Sequence, residues 1–274
     1  MDDLSTLEVI NLLTVGVSSL LIKNHVPSNI PEHGQFISAE NLKSQKYLNE
    51  INEWTEQHKM IISEQKTKAM IFNFTDKFQF TTSLNLKGSN IEIVDQMKIL
   101  GTIINSQLSW DENCDAIFRK VNARMQLIRG LQSLGPTSQE MVHFWILFCR
   151  SVLEQSCVVW GPSLTQENIE DLERTQKSFA KLVLKQNYKT YNQALIQLNL
   201  ESLEVRRKQM YLKFAKNGIF NNTLTDLFPK NIKEHQMKTR NVDRFKVNFA
   251  NTERLKHTSI ITMQKLLNED AKNI

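Results

Sequence analysis

The chain has 274 residues, of which 41% are hydrophobic and 23% charged, with only 8 glycines and 5 prolines. This composition excludes a disordered, collagen-like or low-complexity protein, and the length suffices for one large or two modest domains. The formal net charge of +5 is uneven, because residues 1–100 carry 9 Lys/Arg against 12 Asp/Glu and the remaining residues carry 25 against 17. The basic second part is compatible either with a bound phosphate backbone or with ordinary solvated helix faces.

The chain has the features of an intracellular protein. The apolar runs at residues 9–22 and 141–149 are shorter than the roughly 20 residues that cross a bilayer, and the amino terminus is acidic where a signal peptide would be basic. Cys114, Cys149 and Cys157 show no CxxC spacing, which predicts buried free thiols in a reducing compartment. We therefore expect a nuclear or cytoplasmic protein that is not secreted and has no membrane partner.

The first hundred residues combine short strands with one amphipathic helix. Residues 4–22 are rich in β-branched and aliphatic side chains, which predicts a buried strand or a short helix. Between residues 38 and 60, four side chains recur at three- and four-residue steps and predict a helix that packs on an apolar surface. These are Tyr47, Ile51, Trp54 and His58. Period-two runs at 69–74, 78–86, 91–94 and 99–104 then predict a small antiparallel sheet.

Beyond Trp110 the hydrophobic period is helical. The first helix ends at Gly135 and carries one apolar stripe. The stripe consists of Ile117, Val121, Ile128 and Leu131. Thr137 and Glu140 have the spacing of a capping box, in which each side chain satisfies a free amide of the first turn, and they open a very apolar helix to Trp160.

Three further helices are predicted, from Thr165, over residues 191–198 and over residues 202–217. The remainder is predicted to be weakly ordered except for one helix near 259–268. The predicted fold class is therefore α+β, with a small antiparallel sheet and an amphipathic helix followed by an all-α helical bundle.

Several short motifs follow one another along the chain. They begin with Met1-Asp2-Asp3-Leu4-Ser5 and continue with Trp54 before residues 62–70, and with Lys98-Ile99-Leu100-Gly101 leading to Trp110. Further stretches are 150–154, 160–165, 172–176, 194–195 and 206–207. In this order they resemble the reverse transcriptases of non-LTR retroelements, the jockey- and LINE-like group. The first motifs resemble the palm, including its Asp-Asp motif and primer-grip region, and the later ones resemble the thumb.

The resemblance implies a domain organisation and a set of site residues. It implies a truncated palm over residues 1–110 that starts inside the Asp-Asp motif, a helical thumb over 111–218 and a weakly ordered tail over 219–274. Asp2 and Asp3 would be metal ligands and, with Lys66, catalytic residues. The primer grip would consist of Lys98, Leu100 and Gly101. The candidate nucleic-acid contacts on the thumb are Arg119, Lys120, Arg124, Arg129, Arg206, Arg207 and Lys208.

The implied activity is RNA-directed DNA synthesis on an RNA template with a DNA primer. This nucleotidyl transfer needs two Mg²⁺ ions held by carboxylates. In the family the metal pair also needs a carboxylate from an earlier palm strand, and the fingers complete the substrate pocket. Neither lies within these 274 residues. We therefore expect Mg²⁺ to serve an intact parent enzyme, no cofactor in this chain, and no polymerase activity from the chain alone.

Each candidate also has a plain structural interpretation. Asp2 and Asp3 are compatible with an acidic terminus before a strand, Lys66 with a solvated turn, and Gly101 with an ordinary strand glycine. Single arginines and lysines on helices are most often solvated, and tryptophans are more often core residues than base-stacking platforms. These interpretations stay open on the sequence alone.

Two other functions compete with the polymerase fragment. The first is a non-catalytic nucleic-acid-binding or interaction module derived from a retroelement. The second arises because residues 66–160 also resemble a region labelled as the amino-terminal part of AlkB-type tRNA-modifying proteins. The residues disfavour it, since a dioxygenase needs a His-x-Asp motif and none of the six histidines is followed two residues later by Asp. The chain also contains no GxSxG or HExxH motif of hydrolases.

Overall fold

The computed structural model describes the backbone of residues 9–15, 18–24, 36–72, 83–230 and 245–271, and the side chains from Ser44 onward within these ranges. The chain divides into two compact units, Met1–Trp110 and Asp111–Ile274. Helices predominate and the described strands form small two-stranded sheets. The predicted α+β class is therefore confirmed.

The first unit opens with a β-hairpin. Strands β1 (Val9–Val15) and β2 (Ser18–Asn24) pair antiparallel, with Val9 opposite Asn24 and Val15 opposite Ser18. Of the two alternatives that the sequence left open for this region, the strand is the one found. Helix α1 (Phe36–Gln57) follows.

The buried face of α1 differs from the predicted one. Leu48 and Thr55 are almost fully buried, whereas Tyr47 and Trp54 are 44% and 52% exposed, and His58 stacks on the Trp54 ring. Leu48 belongs to a small cluster of buried aliphatic side chains, most of which come from the segment that contains the strands. The predicted stripe is therefore wrong for Tyr47, Trp54 and His58, which are exposed, and right for Ile51, which packs against the Leu48 cluster.

The remaining strands of the first unit are very short and do not form one sheet. Strand β3 (Lys68–Ala69) pairs parallel with β6 (Glu92–Ile93), and β4 (Asn85–Leu86) pairs antiparallel with β5 (Ser89–Asn90). Strands β7 (Gln96–Ile99) and β8 (Thr102–Asn105) form a separate antiparallel hairpin.

The prediction of one small antiparallel sheet is therefore wrong among the described residues, and residues 73–82 of the first two predicted strands lie outside them. The apolar side chains instead form two separate small clusters, one around Leu86 and Ile91 and one around Phe72 and Ile99. Because each core is small, each strand has only a few residues that can form backbone hydrogen bonds with a partner strand.

The second unit begins with two helices that match the predicted pattern. Helix α2 (Asp111–Leu131) buries Ile117, Val121 and Ile128, three members of the predicted stripe. Helix α3 (Ser138–Phe144) starts with the predicted capping box, in which the Thr137 N–H donates to Glu140 at 2.7 Å and the Glu140 N–H donates to Thr137 Oγ1 at 3.3 Å. Both predictions are confirmed.

The apolar segment after α3 is broken rather than continuous to Trp160. A π-helical stretch (Trp145–Arg150) leads into α4 (Ser151–Glu154), and after a turn with Ser156 at φ 53° comes α5 (Cys157–Trp160). The Arg124 guanidinium of α2 donates to the Phe148 carbonyl within the π-helical stretch. A side chain that donates to a helix carbonyl competes with the backbone N–H that would otherwise bond to it. This competition accounts for the π-helical hydrogen bonding of the stretch.

Five further helices complete the second unit among the described residues: α6 (Gln166–Leu184), α7 (Tyr191–Gln197), α8 (Leu203–Phe220), α9 (Glu253–Lys256) and α10 (Ser259–Asp270). The predicted helix near 259–268 is confirmed as α10. It packs against α8 and buries Ile261, Met263 and Leu267. Residues 231–244 of the predicted tail lie outside the described part.

The three cysteines are free and buried, as the sequence predicts. Burial raises the pKa of Cys114 to about 12 and those of Cys149 and Cys157 to about 11. All three are therefore neutral thiols near pH 7, and none has the character of a nucleophile or metal ligand.

Across the described ranges, no single helix is long and apolar enough to cross a membrane. The stretches Ser138–Glu154 and Cys157–Ser163 meet that test only when they are taken together across a bend of 43°.

Gly161 provides a test of the packing between the segment after α5 and α8. A Cβ atom at Gly161 would overlap the hydroxyl oxygen of buried Tyr211 and lie 3.2 Å from its Cζ. We expect Gly161→Ala to lower the free energy of unfolding by about 2 kcal/mol, because the ring must shift within a packed core. Urea unfolding followed by circular dichroism measures this change.

Gly130 is the matched control, because it lies in α2 with nothing within 4 Å of its Cβ position. Gly130→Ala should be neutral or should stabilise the chain by up to about 1 kcal/mol, since alanine is the better helix former. Equal effects of the two substitutions would contradict the packing at Tyr211.

Candidate nucleic-acid interface

The predicted catalytic residues are only partly within the described structure. Asp2 and Asp3 lie outside the described residues. Lys66 is exposed at the end of a short 3-10 turn, Glu64–Lys66, in which its N–H donates to the Ser63 carbonyl at 3.2 Å. No group of three or more His, Cys, Asp or Glu side chains that could hold a metal ion occurs in the part of the chain with described coordinates.

The predicted primer-grip residues lie at the tip of the β7–β8 hairpin. Leu100 and Gly101 both have positive φ, 47° and 92°, the combination that a two-residue type I′ turn requires. A leucine in the left-handed region is strained, and this one also exposes 81% of its surface. Lys98 is exposed on β7 opposite Ile103. The hairpin therefore presents one cationic and one apolar side chain, and folding alone does not require the leucine at this tip.

The predicted cations on α2 differ in what they contact. Arg119, Lys120 and Arg129 are exposed, and none of them takes part in an ion pair among the described residues. Arg124 is half-buried and donates from Nη1 to the Phe148 carbonyl of the π-helical stretch, which uses one of the five N–H groups of its guanidinium. The predicted phosphate contact of Arg124 stays a prediction.

A shallow groove with a volume of about 320 Å³ runs between α2 and α6. Arg129 lines it on the α2 side, and Arg174, Thr175 and Ser178 line it on the α6 side. Arg174 pairs with Asp171, the acidic residue of the lining. The groove thus contains two guanidinium groups that can donate to a phosphate-bearing ligand, whereas the Thr175 and Ser178 hydroxyls donate to the Asp171 and Arg174 carbonyls of their own helix.

The predicted pair Arg206 and Arg207 serves the protein interior. Arg206 makes a bidentate pair with Glu154, with Nε to Oε1 at 2.5 Å and Nη2 to Oε2 at 3.0 Å, and lies 3.6 Å from Glu201. The hydrogen bond with Glu154 raises the pKa of Arg206. Arg207 is only 4% exposed and hydrogen bonds to the Tyr211 hydroxyl. Both predicted phosphate contacts are therefore corrected, because the Arg206 guanidinium is paired with carboxylates and the Arg207 side chain is buried.

Lys208, the third member of that cluster, is exposed and pairs with Glu204 one turn earlier, at 2.7 Å. Such a surface pair is weak, so the ammonium can exchange partners. Of the seven predicted cations, Arg119, Lys120, Arg129 and Lys208 remain accessible on the surface.

Several stretches that carried the resemblance meet in space. Arg150 and Glu154 lie beside Arg206, with the Glu154 carboxylate between the two guanidinium groups. Burial first and then repulsion from Arg206 lower the pKa of Arg150. Glu173 accepts a hydrogen bond from the Glu204 N–H at 2.8 Å. These motifs therefore belong to one connected core.

Sequence reasoning missed two lysines on α6. Lys177 lies over the ring of Tyr191, and Lys181 lies over the ring of Tyr188, with 5.2 and 5.5 Å between the ammonium nitrogen and the ring centroid. Their four-residue spacing on an amphipathic helix, followed closely by two tyrosines, was the available signal.

Comparisons of the chain with protein-family models, with curated proteins and with solved structures found no match.

Removal of the Glu154 carboxylate tests whether the arginine cluster is structural. In Glu154→Gln the half-buried guanidinium groups of Arg150 and Arg206 would face an amide, which cannot compensate their charge. We expect a loss of about 2 kcal/mol in the free energy of unfolding, less than for a fully buried pair because water still reaches these groups. Chemical denaturation at neutral pH measures the loss.

Glu204→Gln is the matched control, because Glu204 pairs with Lys208 on the open surface of the same helix. It should cost less than about 0.5 kcal/mol. If Glu154→Gln lowered the free energy of unfolding no more than Glu204→Gln does, Arg206 would again be a candidate surface cation.

Proposed function

We propose that this chain is the carboxy-terminal palm and thumb part of a non-LTR retroelement reverse transcriptase, with the thumb formed by the helical unit. In this proposal the first unit supplies the end of the palm and the primer-grip hairpin. The second unit holds the template and primer through contacts to their phosphates, independently of base sequence.

The observation that carries the proposal is the convergence of the thumb motifs. Stretches separated by about fifty residues along the chain form a bidentate Glu154–Arg206 pair, and Glu173 reaches the backbone of Glu204. Motif residues that hold one core together are expected if the ordered series derives from a single ancestral domain.

The surface chemistry supports a nucleic-acid partner. Arg119, Lys120 and Arg129 are exposed on α2 without ion pairs among the described residues, and the groove beside Arg129 also contains the Arg174 guanidinium. The basic excess of residues 101–274 supports the proposal of a phosphate-bearing partner. The strained, exposed Leu100 at the hairpin tip fits a side chain retained for contact with a primer rather than for folding.

Binding to a primer–template tests the proposal directly. The full chain should bind an RNA–DNA hybrid, and the logarithm of the binding constant should fall linearly with the logarithm of the salt concentration. The triple variant Arg119→Gln, Lys120→Gln, Arg129→Gln should lower the affinity by about tenfold or more and flatten the salt dependence, since each lost phosphate contact reduces the slope by about 1. Fluorescence anisotropy over a KCl series provides the measurement.

Lys213→Gln is the control for charge removal as such, because Lys213 is exposed on α8 and belongs to no predicted contact. A chain that does not bind the hybrid even at about 50 mM KCl would refute the proposed function.

Polymerase activity is expected to be absent from the 274-residue chain alone. The metal pair of this family takes a further carboxylate from an earlier palm strand, so Asp2 and Asp3 by themselves would not hold both Mg²⁺ ions. A primer-extension assay with Mg²⁺ and all four deoxynucleotides should therefore give no product above background. Template-dependent DNA synthesis by the purified chain would overturn this part of the proposal.

A further inference from the structure

The exposed side of α6 carries a row of cations that no predicted site includes. Arg174, Lys177, Lys181 and Lys185 follow one another at three- and four-residue steps, and we call them the α6 face. All four are exposed. At a rise of about 1.5 Å per residue, the three members within α6, Arg174 to Lys181, span roughly 10 Å, which is the axial length of about three nucleotides on one strand. Lys185 follows directly after the end of the helix.

Lys177 and Lys181 differ from the paired lysines of the same unit. Lys208, Lys216 and Lys256 are each paired with a carboxylate, at 2.7 Å from Glu204 and 2.6 Å from Asp270 in the first two cases. Lys177 and Lys181 take part in no ion pair among the described residues, and each lies over a tyrosine ring instead. A ring orients an ammonium group without cancelling its charge, so these two lysines keep their charges, whereas Arg174 is paired with Asp171.

The ring beneath Lys177 is held in place from both sides. The Tyr191 hydroxyl donates to Glu173 at 2.5 Å and accepts from the Gln176 side chain at 3.0 Å. Gln176 is completely buried and also donates to the Glu201 carbonyl at 2.8 Å. Burial and the bond to Glu173 raise the pKa of Tyr191, so the phenol stays neutral and the ring stays fixed.

This arrangement lowers the entropy that Lys177 and Lys181 lose when they bind a ligand. A free lysine loses rotamer freedom, worth on the order of 1 kcal/mol, when it is held against a ligand. Lys177 and Lys181 have already lost part of that freedom to the rings. A charged row that is oriented in advance but not neutralised is what a polyanion of regular spacing requires.

We propose that the α6 face binds the sugar–phosphate backbone of a nucleic acid, with Tyr188 and Tyr191 as positioning residues for Lys181 and Lys177. The inference rests on the proposed function for the class of ligand. It adds a binding surface, and a positioning role for two tyrosines, that the resemblance does not imply. The cation row continues towards the groove between α2 and α6, because Arg174 belongs to both. Nucleic acid fits better than an acidic peptide because the face offers a linear row of charges.

The charge test compares two double variants with the same net charge. Lys177→Gln with Lys181→Gln should weaken binding of an RNA–DNA hybrid by about tenfold or more and should reduce the salt slope by about 2. Lys213→Gln with Lys265→Gln is the matched control, because both lysines are exposed on other helices of the same unit. The control should retain the native slope. Single-stranded DNA of the same length, measured in parallel, shows whether the face prefers a strand or a duplex.

The positioning test uses the ring under Lys181. Tyr188→Phe retains the ring and should leave binding unchanged, whereas Tyr188→Leu should weaken it by about threefold with the salt slope unaltered. An unchanged slope with a lower affinity separates positioning from loss of a phosphate contact. Thermal unfolding of both variants shows that each is folded at the assay temperature, and Tyr188→Phe keeps the test valid if the leucine variant unfolds.

The possible outcomes separate the inference from the proposed function. If the Lys177 and Lys181 variant binds like its control while the native chain binds the hybrid, the α6 face is refuted and the proposed function stands. If the native chain binds neither probe, both fail. If polyglutamate of matched charge competes as strongly as nucleic acid, the face recognises acidic chains in general and the assignment to nucleic acid is overturned.

Discussion

One carboxylate connects the main helices of the second unit. From its position on α6, Glu173 accepts the Tyr191 hydroxyl of α7 at 2.5 Å and the Glu204 N–H of α8 at 2.8 Å. That N–H lies in the first turn of α8, where a helix cannot satisfy its own amides and where its dipole favours a negative charge. Ser202 is the N-cap of α8 and accepts the Val205 N–H, so Glu173 adds a second acceptor at this helix start. Glu173 also holds the ring that lies under Lys177.

Features of the helical unit that depend on neighbouring residues could be predicted from the sequence. The capping box at Thr137 and Glu140 needs only residues three apart, and the buried stripe of α2 needs only a period of 3.6. The π-helical stretch Trp145–Arg150 could not be predicted from its own periodicity. The Arg124 guanidinium that donates to its Phe148 carbonyl lies on another helix, and no periodicity within the apolar segment contains that partner.

Less of the first unit and of the candidate site could be predicted, because more of their contacts join residues far apart in the sequence. Pairing of strands depends on long-range partners, so period-two runs indicated extended backbone near the right places but not two separate small cores. The sequence shows that Arg206 and Arg207 are charged but not what surrounds them; Arg206 is paired with Glu154, and Arg207 is buried beside the Tyr211 hydroxyl. From the sequence, Lys177 and Lys181 look like ordinary solvated lysines, because the tyrosine rings that they contact belong to a later segment.

The burial of Arg207 and the internal use of Arg124 and Arg206 affect the electric field of the helical unit. Arg206 is paired with Glu154 and Arg207 is buried, whereas Arg119, Lys120 and Arg129 of α2 and Lys177 and Lys181 of α6 stay exposed. The local field of these exposed cations is the one that an approaching polyanion meets. Such a field selects an orientation during diffusion, before any hydrogen bond forms, and it does so most effectively when the ionic strength is low.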